Sequence, residues 1–144
     1  MAASAERTQV CNASAEACFD VMADLEAYPS WQSAVRSVRV RERDGNGRPA
    51  VAEFVTDAKI RDVRYVLAYH YDRPRRIWWD YVEGDAKTVN GEIRFDALDA
   101  GRTSVTYRLE VDAGGRLVPG RIKQQLAEQA VESSLRKLGE RAAG

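Results

Sequence analysis

Sulfur and imidazole are scarce in this chain: its 144 residues include two cysteines, Cys11 and Cys18, and one histidine, His70. That is too few nitrogen and sulfur ligands for the usual zinc patterns, and nothing else in the sequence implies a metal or another cofactor. The two cysteines read as reduced, buried thiols, with a bridge between them left open. Net charge is also lacking. Lysine plus arginine and aspartate plus glutamate number 22 each, so no overall field draws the chain to nucleic acid or anionic lipid. No apolar run approaches the roughly 20 residues that span a bilayer, and the opening MAASAERTQV lacks the apolar core of a secretion signal. The expectation is a cytoplasmic protein without a transmembrane segment. No glycine-rich loop has the strand and helix context for phosphate binding, and no Ser/His/Asp arrangement is legible, which disfavours nucleotide-dependent chemistry.

What the chain does have is two helical signals flanking a run of strands. A short strand over Glu6–Asn12, with Val10 as its clearest apolar member, leads to Asn12 or Ser14 as a helix cap. From Ala15 to Asp24, Phe19, Met22 and Ala23 recur at helical spacing beside Cys18 and make one narrow apolar stripe. Tyr28 precedes Pro29 and is pushed toward extended geometry, so a kink or second short helix ends near Trp31. At the other end, Pro119 starts a helix to about Gly139. It carries Ile122, Leu126, Ala130, Val131, Leu135 and Leu138 on one side and charges of both signs on the other. Some 20 residues at ~1.5 Å each span about 30 Å, enough to cross several strands.

Between these helices lie six alternating segments: Ala34–Arg43, Val51–Ala58, Val63–Tyr71, Ile77–Glu83, Lys87–Leu98 and Thr103–Asp112. Their short connections, including Asp44-Gly45-Asn46-Gly47 and Arg73-Pro74, imply antiparallel neighbours. With no long linker or repeat, residues 1–144 read as a single domain. The class is α+β, a curved antiparallel sheet of seven strands closed by one long helix over its apolar face.

The segments AEACFDVMADLEAYPSWQSAV, IWWDYVEGD, GEIRFDAL, GRTSVTYRLEV and PGRIKQQLAE, in this order and spacing, resemble the START-like or Bet v 1-like (SRPBCC) superfamily. Within it the chain looks like the bacterial polyketide cyclase/dehydrase and lipid-transport group, over about Thr8 to Leu138. The resemblance implies the helix-grip fold, with the sheet wrapped around the C-terminal helix and two short helices after the first strand. It also implies a small hydrophobic ligand such as a lipid, quinone or polyketide-like ring system, held between sheet and helix. Some members cyclise or aromatise polyketides with acid, base or hydroxyl groups in the cavity, and others carry lipids or quinones.

Period-two parity assigns inward positions to Tyr65, Leu67, Tyr69, Ile77, Trp79, Tyr81, Phe95, Tyr107 and Leu109, joined by Phe54 from the third strand. Their rings either wall an apolar cavity or fill the space as an ordinary core. Trp31 either gates the opening or plugs the end of the sheet, and Leu126 and Ala130 are the helix positions placed to touch a ligand. For proton chemistry the candidates are Tyr65, Tyr69, Tyr81 and Glu83, the last sharing a parity face with Trp79 and Tyr81; Thr56 is a further inward polar group. His70, opposite Tyr69 and Tyr71, is expected to point outward. Further expectations concern the surface. Arg73, Arg75 and Arg76 form a cationic corner that could meet a carrier-protein phosphate or an anionic headgroup. Val66, Trp78 and Val82 share the outer face, where an exposed apolar patch would serve a protein partner or a homodimer.

Overall fold

The computed structural model describes residues 3–58, 61–112 and 119–143. Seven strands, β1 (Ala3–Cys11), β2 (Val35–Arg43), β3 (Pro49–Asp57), β4 (Asp62–Asp72), β5 (Arg76–Gly84), β6 (Thr88–Asp99) and β7 (Arg102–Asp112), form one antiparallel sheet. Their order is β1-β7-β6-β5-β4-β3-β2, so β1 and β2 are its two edges. Two short helices, α1 (Ala15–Ala23) and α2 (Tyr28–Trp31), are separated by a single 3-10 turn, and the long α3 covers Gly120–Ala143.

Local chemistry accounts for the boundaries. Ser14, in extended conformation, caps α1 by accepting the amide of Ala17 on its side chain. Pro29 sits in the first turn of α2, where its missing N–H is no loss. The strands run a residue or more past their apolar members, because the hydrogen-bond ladder continues where side-chain alternation stops. β1 is the clearest case: it starts at Ala3, and its inward face is made of Ala3, Ala5 and Cys11, while Val10 points outward and is 50% exposed. Small inward residues let α3 approach this edge closely.

Polar clips fasten α3 to both edges of the sheet. On β1, Gln124 accepts the Ser4 amide at 3.2 Å and donates to the Ser4 carbonyl at 2.6 Å, and the Gln9 side chain donates to the Leu135 carbonyl at 3.2 Å. On the other side, just before β2, Ser134 donates to Gln32 and Lys137 to Ser33, each at 2.8 Å. The helix thus bridges the edges of a curved sheet, close to β1, β7 and α1 and farther from the central strands.

The space under this bridge is unevenly filled. Where α1 docks, Phe19, Met22, Leu25, Ile77, Ile93, Val105, Leu135 and Leu138 are all essentially inaccessible, and Phe19 meets Phe95 edge-on at 5.6 Å. Cys11 and Cys18 are buried there as free thiols, and contact with Cys18 together with burial pushes the Cys11 thiol well up. Farther along, over β3 and β4, no second helix among the described residues fills the gap. The core is therefore solid at the α1 end and hollow at the other.

Candidate functional site

The hollow end is a cavity of about 440 Å³ between the sheet and α3. Strand parity supplies its floor: Phe54 and Thr56 from β3, Val63, Tyr65, Leu67 and Tyr69 from β4, Trp79 from β5, and Tyr107, Leu109 and Val111 from β7. α3 forms the roof with Lys123, Leu126, Ala127, Ala130 and Ser134, and Tyr28 with Gln32 stands at the side. The rings form a continuous belt. Tyr65 stacks on Phe54 at 5.7 Å, Phe54 reaches Tyr69 at 6.0 Å, Tyr69 stacks on Trp79 at 5.3 Å, and Trp79 meets Tyr107 edge-on at 5.7 Å.

This belt depends on one small residue. Gly91 lies across from Trp79 in the β5–β6 register, and any Cβ there would run into the indole, with Cζ2 nearest and Cε2 2.7 Å away. The missing side chain is what lets the indole lie flat over the neighbouring strand.

Burial sets the electrostatics. It pushes the phenols of Tyr28 and Tyr69 well above the usual tyrosine range, raises Tyr107, and moves Tyr65 up to about 12 despite an offset from the adjacent Thr56 hydroxyl. All four are neutral at physiological pH. The charged group on the roof, Lys123, is paired with Asp112 at 3.6 Å, with side chains only 14% and 12% exposed. Among the described residues no group of three or more His, Cys, Asp or Glu converges as a metal site would require.

Of the residues expected at a ligand, Phe54, Tyr65, Leu67, Tyr69, Trp79, Tyr107, Leu109, Leu126 and Ala130 line the cavity. Three do not. Phe95 belongs to the solid end beneath Phe19. Tyr81 turns its hydroxyl away to donate to the Ala86 carbonyl at 2.5 Å, and Ala86 takes its place in the wall. Trp31 packs edge-on against Tyr28 at 5.5 Å with the Arg141 guanidinium 5.7 Å over its ring, which places it behind the wall.

Glu83 requires a correction. A β-bulge shifts the β4–β5 register so that Tyr81 opposes Leu67 but Glu83 opposes Val66, with Val82 as the extra residue. One inserted residue reverses parity. Glu83 therefore lies on the outer face, 58% exposed and 3.9 Å from Arg64, and Gly84 follows at φ +139°, a conformation that suits glycine.

The outer face differs from expectation too. Val66 is buried, Trp78 is held between the His70 ring at 5.3 Å and the Arg76 guanidinium at 4.2 Å, and only Val82 of the three is largely exposed. These three residues make no continuous apolar patch. His70 does point outward, 3.3 Å from Asp80. The cationic corner is partly neutralised, Arg73 by two 2.9 Å bonds to Asp20 and Arg76 by Glu92.

Lys123 and Ser134 join the cavity without having been expected there, although they sit three before and eight after Leu126, the same helical face. Helical spacing was the available signal, and the mixed charge of α3 hid it. Gln32 is positioned by the Ser134 bond, a long-range contact with no local sequence signal.

Among curated proteins none matches the chain in sequence. Solved structures match its fold closely. A START superfamily protein from Mycobacterium smegmatis superposes with a TM-score of 0.86 at 23% identity, over 96% of each chain. The Zhui aromatase/cyclase from Streptomyces sp. R1128 gives 0.84 at 20% identity, over 99% of this chain and 94% of that one. A protein from Thermus thermophilus gives 0.82 at 26% identity, over 99% and 97%. The architecture is thus the helix-grip START fold, and the family described as polyketide cyclase/dehydrase and lipid transport matches residues 2–143, so the chain belongs to that family.

Proposed function

We propose that this protein binds a small hydrophobic molecule carrying a ring system, such as a quinone or polyketide-like compound, in the cavity beneath α3. The observation that carries this reading is the belt of stacked rings around an unfilled volume of about 440 Å³. Flat aromatic walls with a few neutral polar tips suit a planar apolar guest. The lining also carries Asp57, Arg61 and Lys123, the last paired with Asp112.

The second reading, a cyclase, aromatase or dehydratase, draws on the family name and on the likeness to an aromatase/cyclase. The groups that would move protons argue against it. Burial keeps Tyr65 and Tyr69 protonated, so neither is a base near neutrality, Tyr81 is bonded to a backbone carbonyl, and Glu83 is outside. Binding and carriage need none of them ionised. Among the described residues no helix is long and apolar enough to cross a membrane.

Native mass spectrometry of freshly purified protein, with organic extraction of any adduct, tests the proposal. A stoichiometric hydrophobic adduct lost in Ala130→Trp, which fills the roof at an exposed position, is the expected result. Uptake unchanged in that folded variant would move the site elsewhere.

A further inference from the structure

Trp79 is 4% exposed, and its indole Nε1 has no hydrogen-bond partner. A buried donor left unmade is costly, and such groups in folded proteins ordinarily find an acceptor. The surroundings explain why the protein itself supplies none. One face of the indole is covered by the Tyr69 ring, an edge meets the Tyr107 ring, and the far side crosses Gly91. Space has been cleared for an indole where a phenyl ring would wall the cavity equally well, and what the indole adds is one N–H.

The neighbouring polar groups have the same character. Tyr69 and Tyr107, whose rings flank the Trp79 indole, also line the cavity, and burial keeps both phenols protonated. An indole only donates, and a protonated phenol readily does so. This part of the wall offers donors, so its complement is an acceptor; the carboxylate in the lining, Asp57, comes from the far end of β3.

We propose that the Trp79 indole N–H is the orienting contact of the cavity, receiving a carbonyl or phenolic oxygen borne by the ring system of the ligand, with the Tyr69 and Tyr107 hydroxyls beside it. The inference rests on the cavity-binding reading and narrows it: the guest is an oxygenated ring compound rather than a plain hydrocarbon or acyl chain. Trp31, whose Nε1 also lacks a partner, lies behind the cavity wall and takes no part.

Fluorene and 9-fluorenone, the same tricycle without and with one carbonyl, provide the test. Affinities are measured by competition with an environment-sensitive dye, and the indole N–H signals of the three tryptophans are followed by ¹⁵N NMR. Fluorenone is expected to bind about tenfold more tightly, the weight of one good buried hydrogen bond. The Trp79 N–H resonance, identified by its loss in Trp79→Phe, is expected to move downfield with fluorenone and not with fluorene. In that variant the ratio of the two affinities should fall to about one, whatever the smaller ring does to the binding of fluorene itself. If both compounds bind but fluorene binds equally or better, with the Trp79 signal unmoved by fluorenone, the orienting contact is refuted while the cavity reading stands. If neither binds, both readings fall. Should Trp79→Phe fail to fold, the Trp79 signal is assigned by elimination with Trp31→Phe and Trp78→Phe, and the NMR result on the unaltered protein decides the matter.

Discussion

The Tyr28 hydroxyl donates to the Met22 carbonyl at 2.5 Å, so a residue of the cavity wall also closes the last turn of α1. Helix ends leave carbonyls without partners, and this one is too deep for water to serve. The Tyr28 ring meanwhile packs on Phe54 at 6.4 Å and on Trp31 at 5.5 Å. One side chain thus links the solid end of the core to the hollow end. Tyr28→Phe keeps the ring and strands the carbonyl, and should destabilise the fold by about 1–3 kcal/mol. A urea titration measures this, and an unchanged midpoint would mean that the carbonyl has another partner.

Gly91→Ala should also destabilise, by about 1–3 kcal/mol, because the new methyl group meets the Trp79 indole. Backbone propensity alone would favour alanine in a strand over glycine, so the sign separates the two effects. The double variant with Trp79→Phe removes the obstructing ring. It should recover much of the loss, and a double-mutant cycle by chemical denaturation reads the coupling. Strict additivity would show that the indole is not what glycine accommodates.

The inward belt was legible because alternation on β4 and β7 is unbroken: Val63, Tyr65, Leu67 and Tyr69 all face the cavity, as do Tyr107, Leu109 and Val111. Parity counts residues, however, and a bulge adds one. Nothing in Tyr81-Val82-Glu83 announces that Val82 is the extra residue, and only Gly84 at positive φ marks the spot. The division into solid and hollow ends was equally hidden. Phe95 and Tyr107 look alike in sequence, yet α1 docks over the first and leaves the second open. That difference is made by tertiary packing between distant segments, which periodicity does not encode. Small residues misled in a simpler way: Val10 stood out as the apolar member of β1, whereas the residues of that strand buried inward are Ala3, Ala5 and Cys11.

Glu83→Gln follows from the bulge. With its carboxylate outside and exposed, its loose pairing with Arg64 at 3.9 Å should matter little, and stability should change by less than about 0.5 kcal/mol. Ligand affinity should be unaltered across neutral pH. A loss of binding or turnover in this variant would return Glu83 to the cavity and overturn the register assigned to β5.

The buried phenols predict a sharp alkaline limit. Tyr28, Tyr65, Tyr69, Tyr71 and Tyr107 all hold their protons more firmly folded than unfolded, chiefly because burial penalises the phenolate. A raised folded value gives stability that is fully present below the unfolded value, near 10, and that is lost as pH climbs through the folded value, about 12 for Tyr65. In that interval each such tyrosine removes about 1.4 kcal/mol per pH unit, so five acting together make the loss steep. Tyrosinate absorbance and far-ultraviolet circular dichroism should therefore change in one cooperative step above pH ~10. A guest filling the cavity stabilises the folded form alone and should shift that step upward. Gradual ionisation near the ordinary tyrosine value with the sheet intact would mean that water reaches these phenols freely, and the dry aromatic cavity would have to be abandoned.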